Sequence, residues 1–169
     1  MKKIMNVTDN PFLTDGSVSK YILLADDDTD DCMLFGDAIN ELQVTARFAA
    51  VHNGELLMEL LNTSETLPDI LFMDLNMPRK NGFECLSEIR QNSKWNQLPV
   101  VIMSTSFEEN TIARLYQNGA QHYIRKPHEF SKLKEVIQRA LIVTSRERAE
   151  VMITESHLQP LGADFVLSY

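Results

Sequence analysis

Asp69-Ile70-Leu71-Phe72-Met73-Asp74-Leu75-Asn76-Met77-Pro78 is the stretch that decides the fold. A nearly unbroken apolar run of this length suits a strand buried on both faces of a parallel sheet, here residues 69–73. The carboxylate at its end, Asp74, has no packing reason to be there. The polar, turn-rich Asn76-Met77-Pro78-Arg79-Lys80-Asn81-Gly82 then leads into a helix carrying Phe83, Leu86 and Ile89. Strand, polar turn and helix form one unit, and the unit recurs on either side.

Upstream, Tyr21-Ile22-Leu23-Leu24-Ala25 reads as the first strand and is followed by Asp26-Asp27-Asp28. Asp28 is placed to cap a helix whose first turn holds Asp30 and Asp31, and whose apolar stripe is expected at Met33, Leu34, Ala38, Ile39 and Leu42. Residues 44–51 make a second strand, and residues 54–62, with Leu56, Leu57, Leu60 and Leu61, a second helix. Downstream, residues 99–103 make strand four. Residues 108–118 make helix four, turning Ile112, Leu115 and Tyr116 inward and closing at Gly119. Residues 122–125 are strand five, and helix five runs from residue 129 to about residue 148 on Leu133, Val136, Ile137, Ala140 and Leu141. Five strands alternating with five helices define a doubly wound α/β fold with a parallel sheet, in which ligands bind outside the carboxyl ends of the strands, and 2-1-3-4-5 is the order taken for it.

The ends of the chain read differently. Residues 1–20 are polar and aperiodic, an extension ahead of a domain at 21–146. Residues 147–169 form a tail whose Leu158, Leu161, Phe165, Val166 and Leu167 are expected to pack on the domain or on a second copy, which makes a homodimer one expectation. With 16 Lys+Arg against 24 Asp+Glu the formal charge is −8, and no basic block is present to meet a phosphate backbone, so no nucleic acid is expected as partner. No apolar run approaches the ~18 residues of a membrane span and no secretion signal opens the chain, so no membrane is expected and a cytoplasmic location is. Cys32 and Cys85 are too far apart in sequence for a C-x-x-C pair and are read as buried free thiols. His52, His122, His128 and His157 lack the spacing of a metal pair and are read as surface or loop residues, and Trp95 as partly exposed near the site opening.

The residues just past the odd-numbered strands carry the chemistry: Asp26-Asp27-Asp28 after the first, Asp74 at the end of the third, Lys126-Pro127 after the fifth. Strands one and three are neighbours in the 2-1-3-4-5 order, so several carboxylates and one ammonium converge on one rim. Carboxylates held that close raise one another's pKa unless a cation neutralises them, and hard oxygen donors that leave room for water suit Mg²⁺.

These stretches, with Leu98-Pro99-Val100-Val101-Ile102-Met103-Ser104-Thr105 and Gly119-Ala120 through Tyr123-Ile124-Arg125-Lys126-Pro127, resemble the receiver domain of two-component response regulators over residues 21–144. The resemblance implies a flavodoxin-like fold and a phosphorelay function. Asp74 would be the phosphoacceptor for a sensor histidine kinase, and Mg²⁺ would be held by Asp27, Asp74 and the main-chain carbonyl of Asn76, with Asp26 acting through water. It assigns Lys126 to a phosphoryl oxygen, with Pro127 after it, often through a cis bond. Ser104 takes the hydroxyl that meets the new phosphoryl group, Thr105 is a neighbour able to exchange roles with it, and Tyr123 is the switch aromatic. The side chains at Asn76 and Ser106 would flank the water that hydrolyses the aspartyl phosphate. A stand-alone, chemotaxis-regulator-like or phytochrome-kinase-partner-like regulator with no attached effector is the expected layout, not an enzyme beyond self-phosphorylation and slow autodephosphorylation. Two alternatives are a degenerate receiver serving as a constitutive scaffold and a phosphatase of haloacid-dehalogenase type. The second needs Thr or Val at position 30 if Asp26 leads its motif, and Asp30 stands there.

Overall fold

Parallel strands need a crossover between them, and the alternation of apolar runs with amphipathic segments supplies one after each strand. The computed structural model describes residues 19–154. In chain order the elements are β1 (Lys20–Ala25), α1 (Thr29–Glu41), β2 (Ala46–Val51), α2 (Gly54–Thr63), β3 (Ile70–Asp74), α3 (Gly82–Gln91), β4 (Val100–Ser104), α4 (Glu109–Gln117), β5 (His122–Arg125) and α5 (Phe130–Thr154). All pairings are parallel and the strand order is β2-β1-β3-β4-β5, as the sequence predicts.

Alternate strand residues face opposite sides of the sheet. Leu23, Ala25, Leu71 and Met73 pack against α2, α3 and α4 through Leu57, Leu61, Leu86, Ile89 and Leu115. Ile22, Leu24, Ile70 and Phe72 pack against α1 and α5 through Phe35, Ile39, Val136, Ile137 and Ala140. Phe35 anchors the second layer, stacked on Phe48 at 5.6 Å and edge-on to Phe72 at 4.9 Å between ring centroids. Burying each such side chain contributes roughly 1.5–3 kcal/mol.

Several boundaries and faces depart from expectation. In α1 the inward stripe is Cys32, Phe35, Gly36, Ala38 and Ile39, whereas Met33 and Leu34 are exposed. The i, i+3, i+4, i+7 spacing of 32, 35, 36 and 39 satisfies the helical period better than a stripe starting at 33, and Cys32 and Gly36 are small enough to sit close to the sheet. Helix α5 continues to Thr154, so residues 147–154 extend the helix rather than begin a tail. Residues 1–18 and 155–169, where the extension and most of the tail are expected, lie outside the described residues. Trp95 is not near a surface opening: it is 2% exposed and belongs to the layer under α2, α3 and α4, because the 92–98 turn folds its indole inward. His122 is likewise buried, its Nε2 3.1 Å from Glu147 Oε2. Cys32 and Cys85 are buried free thiols.

Candidate functional site

The carboxyl ends of β1, β3, β4 and β5 form one rim because the register brings Ala25 beside Met73, Asp74 beside Met103 and Ser104 beside Arg125. Asp26 leaves β1 with its backbone N–H donating to Val51 O at 3.0 Å, and the chain then turns into α1. The Asp28 carboxylate caps that helix by accepting from the N–H groups of Asp30 and Asp31. On the β3 side, Gly82 opens α3 so close to the strand end that a Cβ there would stand 2.7 Å from Asp74 O and 2.9 Å from Leu75 Cα. Only glycine lets the helix start against the backbone that carries Asp74. The Asn81–Glu84 capping box fixes that start.

Lys126 is the hub. Its backbone N–H donates to Ser104 O at 2.8 Å, which ties the β5 turn to β4. Its Nζ lies 2.7 Å from Asp26 Oδ2, 2.9 Å from Asp31 Oδ2 and 3.1 Å from Asp74 Oδ1. Burial opposes the charge on this ammonium, but the hydrogen bonds to Asp26 and Asp31 and the charges of Asp26 and Asp74 more than offset it and raise its pKa. The Asp26 carboxyl is also held above its usual range. There burial is the main cause, Lys126 and the Asp28 N–H work against it, and Asp74 adds like-charge repulsion. The two directions agree physically, since several carboxylates share one ammonium. Asp74 Oδ2 also accepts from the Asn76 N–H at 2.8 Å.

The other expected site residues fall around this hub. Ser104 is fully buried, and its Oγ is 3.4 Å from both Ser106 Oγ and Ser106 N. Thr105 is exposed, so the two neighbouring hydroxyls are not equivalent. Tyr123 is buried with its hydroxyl donating to the carbonyl of Ser106. Asp27 and Asn76 are exposed at the mouth. The Lys126–Pro127 peptide is not cis, since none of the described peptide bonds is.

One participant, and one set of backbone contacts, escape sequence reasoning. Asp31 reads as a first-turn acid serving the helix dipole, yet it reaches Lys126 because the Asp28 cap starts α1 close beside the rim. Ser106, expected through its side chain, also meets Tyr123 through its carbonyl and Ser104 through its backbone N–H, contacts that no side-chain pattern discloses.

The donor set suits a hard cation. Among the described residues no three carboxylate, thiol or imidazole groups are arranged to close on a metal by themselves. Two carboxylates, a main-chain carbonyl and water would have to share it, the open and water-rich coordination that Mg²⁺ favours. No helix among the described residues is long and apolar enough to cross a membrane.

Comparison with known proteins agrees with this geometry. Among curated proteins, the probable methanogenesis regulatory protein FilR2 of Methanothrix harundinacea is 31% identical over 69% of this chain and 78% of its own. Other curated relatives are longer, the match spanning 17% of one and 50% of another. The structure of the phosphorylated cyanobacterial phytochrome response regulator RcpA superposes with a TM-score of 0.67 at 30% identity, over 71% of this chain and 89% of that one. The Mn(2+)-bound form of the response regulator Rcp1 gives 0.64 at 28%, over 70% and 89%. The model of the response regulator receiver domain matches residues 22–138, and the chain belongs to that family, the receivers of two-component systems.

Proposed function

We propose that this receiver accepts a phosphoryl group on Asp74 from the phosphohistidine of a sensor histidine kinase, in a Mg²⁺-dependent reaction, and thereby switches its contacts with other proteins. The observation that carries the reading is the Asp74 carboxylate. It is 6% exposed at the end of β3 and meets the Lys126 ammonium on one oxygen and the Asn76 N–H on the other. A buried carboxylate so aimed is a nucleophile with its charge already partnered.

In the step, an Asp74 oxygen forms a bond to phosphorus as the P–N bond of the phosphohistidine breaks, and the imidazole leaves with the electron pair. Lys126 then turns to the transferred group as a fixed positive charge. Asp27, Asp74 and the Asn76 carbonyl would hold Mg²⁺, with Asp26 reached through water. When bound, the ion would neutralise the carboxylates and spread the charge developing on the phosphoryl oxygens. The buried Ser104 hydroxyl is poised to donate to a phosphoryl oxygen, which would pull on Ser106 and, through its carbonyl, on the Tyr123 hydroxyl. A switch needs such differential contacts in its two states. The two structural relatives, RcpA in a phosphorylated form and Rcp1 in a Mn(2+)-bound form, support this chemistry by analogy.

Intact mass after incubation with Mg²⁺ and acetyl phosphate tests it. Wild type is expected to gain one phosphoryl group and Asp74→Asn none. Equal labelling of the two would overturn the acceptor assignment, and no labelling of wild type would favour a constitutive scaffold.

A further inference from the structure

Asp31 has no part in the phosphoryl transfer just described, although its partner Lys126 does. The Lys126 ammonium donates hydrogen bonds to Asp26 and Asp31, and it faces Asp74 across a longer ion-pair contact of 3.1 Å. Asp26 and Asp74 both lie in the pocket assigned to the metal, so a bound cation competes with Lys126 for them. Asp31 does not: it sits in the first turn of α1, two residues past the start of the helix. That turn is fixed by the Asp28 cap and by the buried side chains of Cys32 and Phe35. Asp31 and Lys126 line a narrow crevice of about 40 Å³ whose walls also include the apolar Leu34, Pro127 and Leu133.

We propose that Asp31 is a positioning residue for Lys126. Together with Asp26 it anchors the ammonium so that its charge faces whatever Asp74 carries, first the carboxylate oxygen and then the phosphoryl oxygen. The lysine stem is flexible, and without Asp31 its remaining anchors are groups that the metal also claims. The inference rests on Asp74 being the phosphoacceptor.

Single-turnover phosphorylation at saturating Mg²⁺ and acetyl phosphate tests it, with melting curves to confirm folding. Asp31→Asn is expected to lower the maximal rate about tenfold, the scale of a small misplacement of a reacting group, while Mg²⁺ affinity measured by calorimetry changes less than about threefold. Asp30→Asn removes the same charge from the same turn, but its carboxylate makes no ion pair among the described residues, so its rate should stay near wild type. In a Lys126→Ala background, Asp31→Asn should cost nothing further, because residues acting through one another are not additive. Equal rates for Asp31→Asn and Asp30→Asn, or a full additional loss in the Lys126→Ala background, would overturn the inference. Wild type that labels normally while Asp31→Asn labels equally fast sinks this inference alone, whereas wild type that fails to label at Asp74 sinks the acceptor reading with it.

Discussion

The two edges of the sheet handle charge in opposite ways. At the amino ends of the strands, cations meet neutral acceptors or a single carboxylate. Arg90 Nε donates to Gly119 O at 2.9 Å, and its NH1 to Leu98 O at 2.9 Å and Asn96 O at 3.2 Å. Gly119 permits that approach: its φ is +90°, and a Cβ would stand 2.8 Å from Arg90 Nε. Asp69 accepts from the Tyr21 N–H at 2.8 Å and pairs with Arg148 at 3.1 Å. At the carboxyl ends, one ammonium answers Asp26, Asp31 and Asp74 together, with Asp27 and Asp28 exposed beside them. The lower edge is close to balanced and serves stability. The upper edge carries uncompensated negative charge, which costs stability and prepares the rim for a cation.

This contrast is easiest to break at Arg90. Arg90→Ala leaves three carbonyls short of a donor and is expected to lower unfolding free energy by about 2–4 kcal/mol. Urea denaturation measures that loss, and phosphorylation of the folded protein should continue at a near-normal rate. A stability loss under about 1 kcal/mol would show that water replaces the guanidinium without penalty.

Asp26→Asn should do the reverse. Burial already disfavours the Asp26 charge, so a neutral amide is expected to leave stability unchanged or raise it by about 1 kcal/mol, while Mg²⁺ affinity measured by calorimetry falls at least tenfold. Clear destabilisation would mean that the Asp26–Lys126 pair holds the rim together.

The smallest effect concerns the thiols beneath the rim and the core. Burial pushes Cys32 up to about 12, with the Asp26 charge adding to it, and burial pushes Cys85 up to about 11. Both therefore stay protonated in the folded protein at pH 8 and should resist alkylation until the chain unfolds. The unfolded chain releases these protons from about pH 9, so the folded state binds more protons between about pH 9 and 12 and stability falls as pH rises through that window. Asp26→Asn should bring the Cys32 pKa down and leave Cys85 unaffected, which mass-resolved alkylation against pH will read. Equal alkylation of Cys32 in both proteins would remove Asp26 from the causes.

Periodicity and end chemistry were enough for the alternation of strands and helices, the burial of both cysteines, and the placing of Asp26, Asp74 and Lys126 at strand ends, whereas the convergence of these three depended on a strand order that the alternation does not fix. Apolar runs that alternate with crossovers are buried on both faces of a parallel sheet, and a carboxylate ending such a run has only the rim to occupy. The tertiary structure decided what depends on atoms distant in sequence. It chose the inward face of α1, carried α5 on to Thr154, and turned Trp95 and His122 into the interior. It also gave Asp31 to Lys126, a pairing across 95 positions set by where the Asp28 cap begins the helix. Hydrophobic pattern reports which side of an element is buried on average, whereas the partner of a given charge depends on the distances and angles that packing creates.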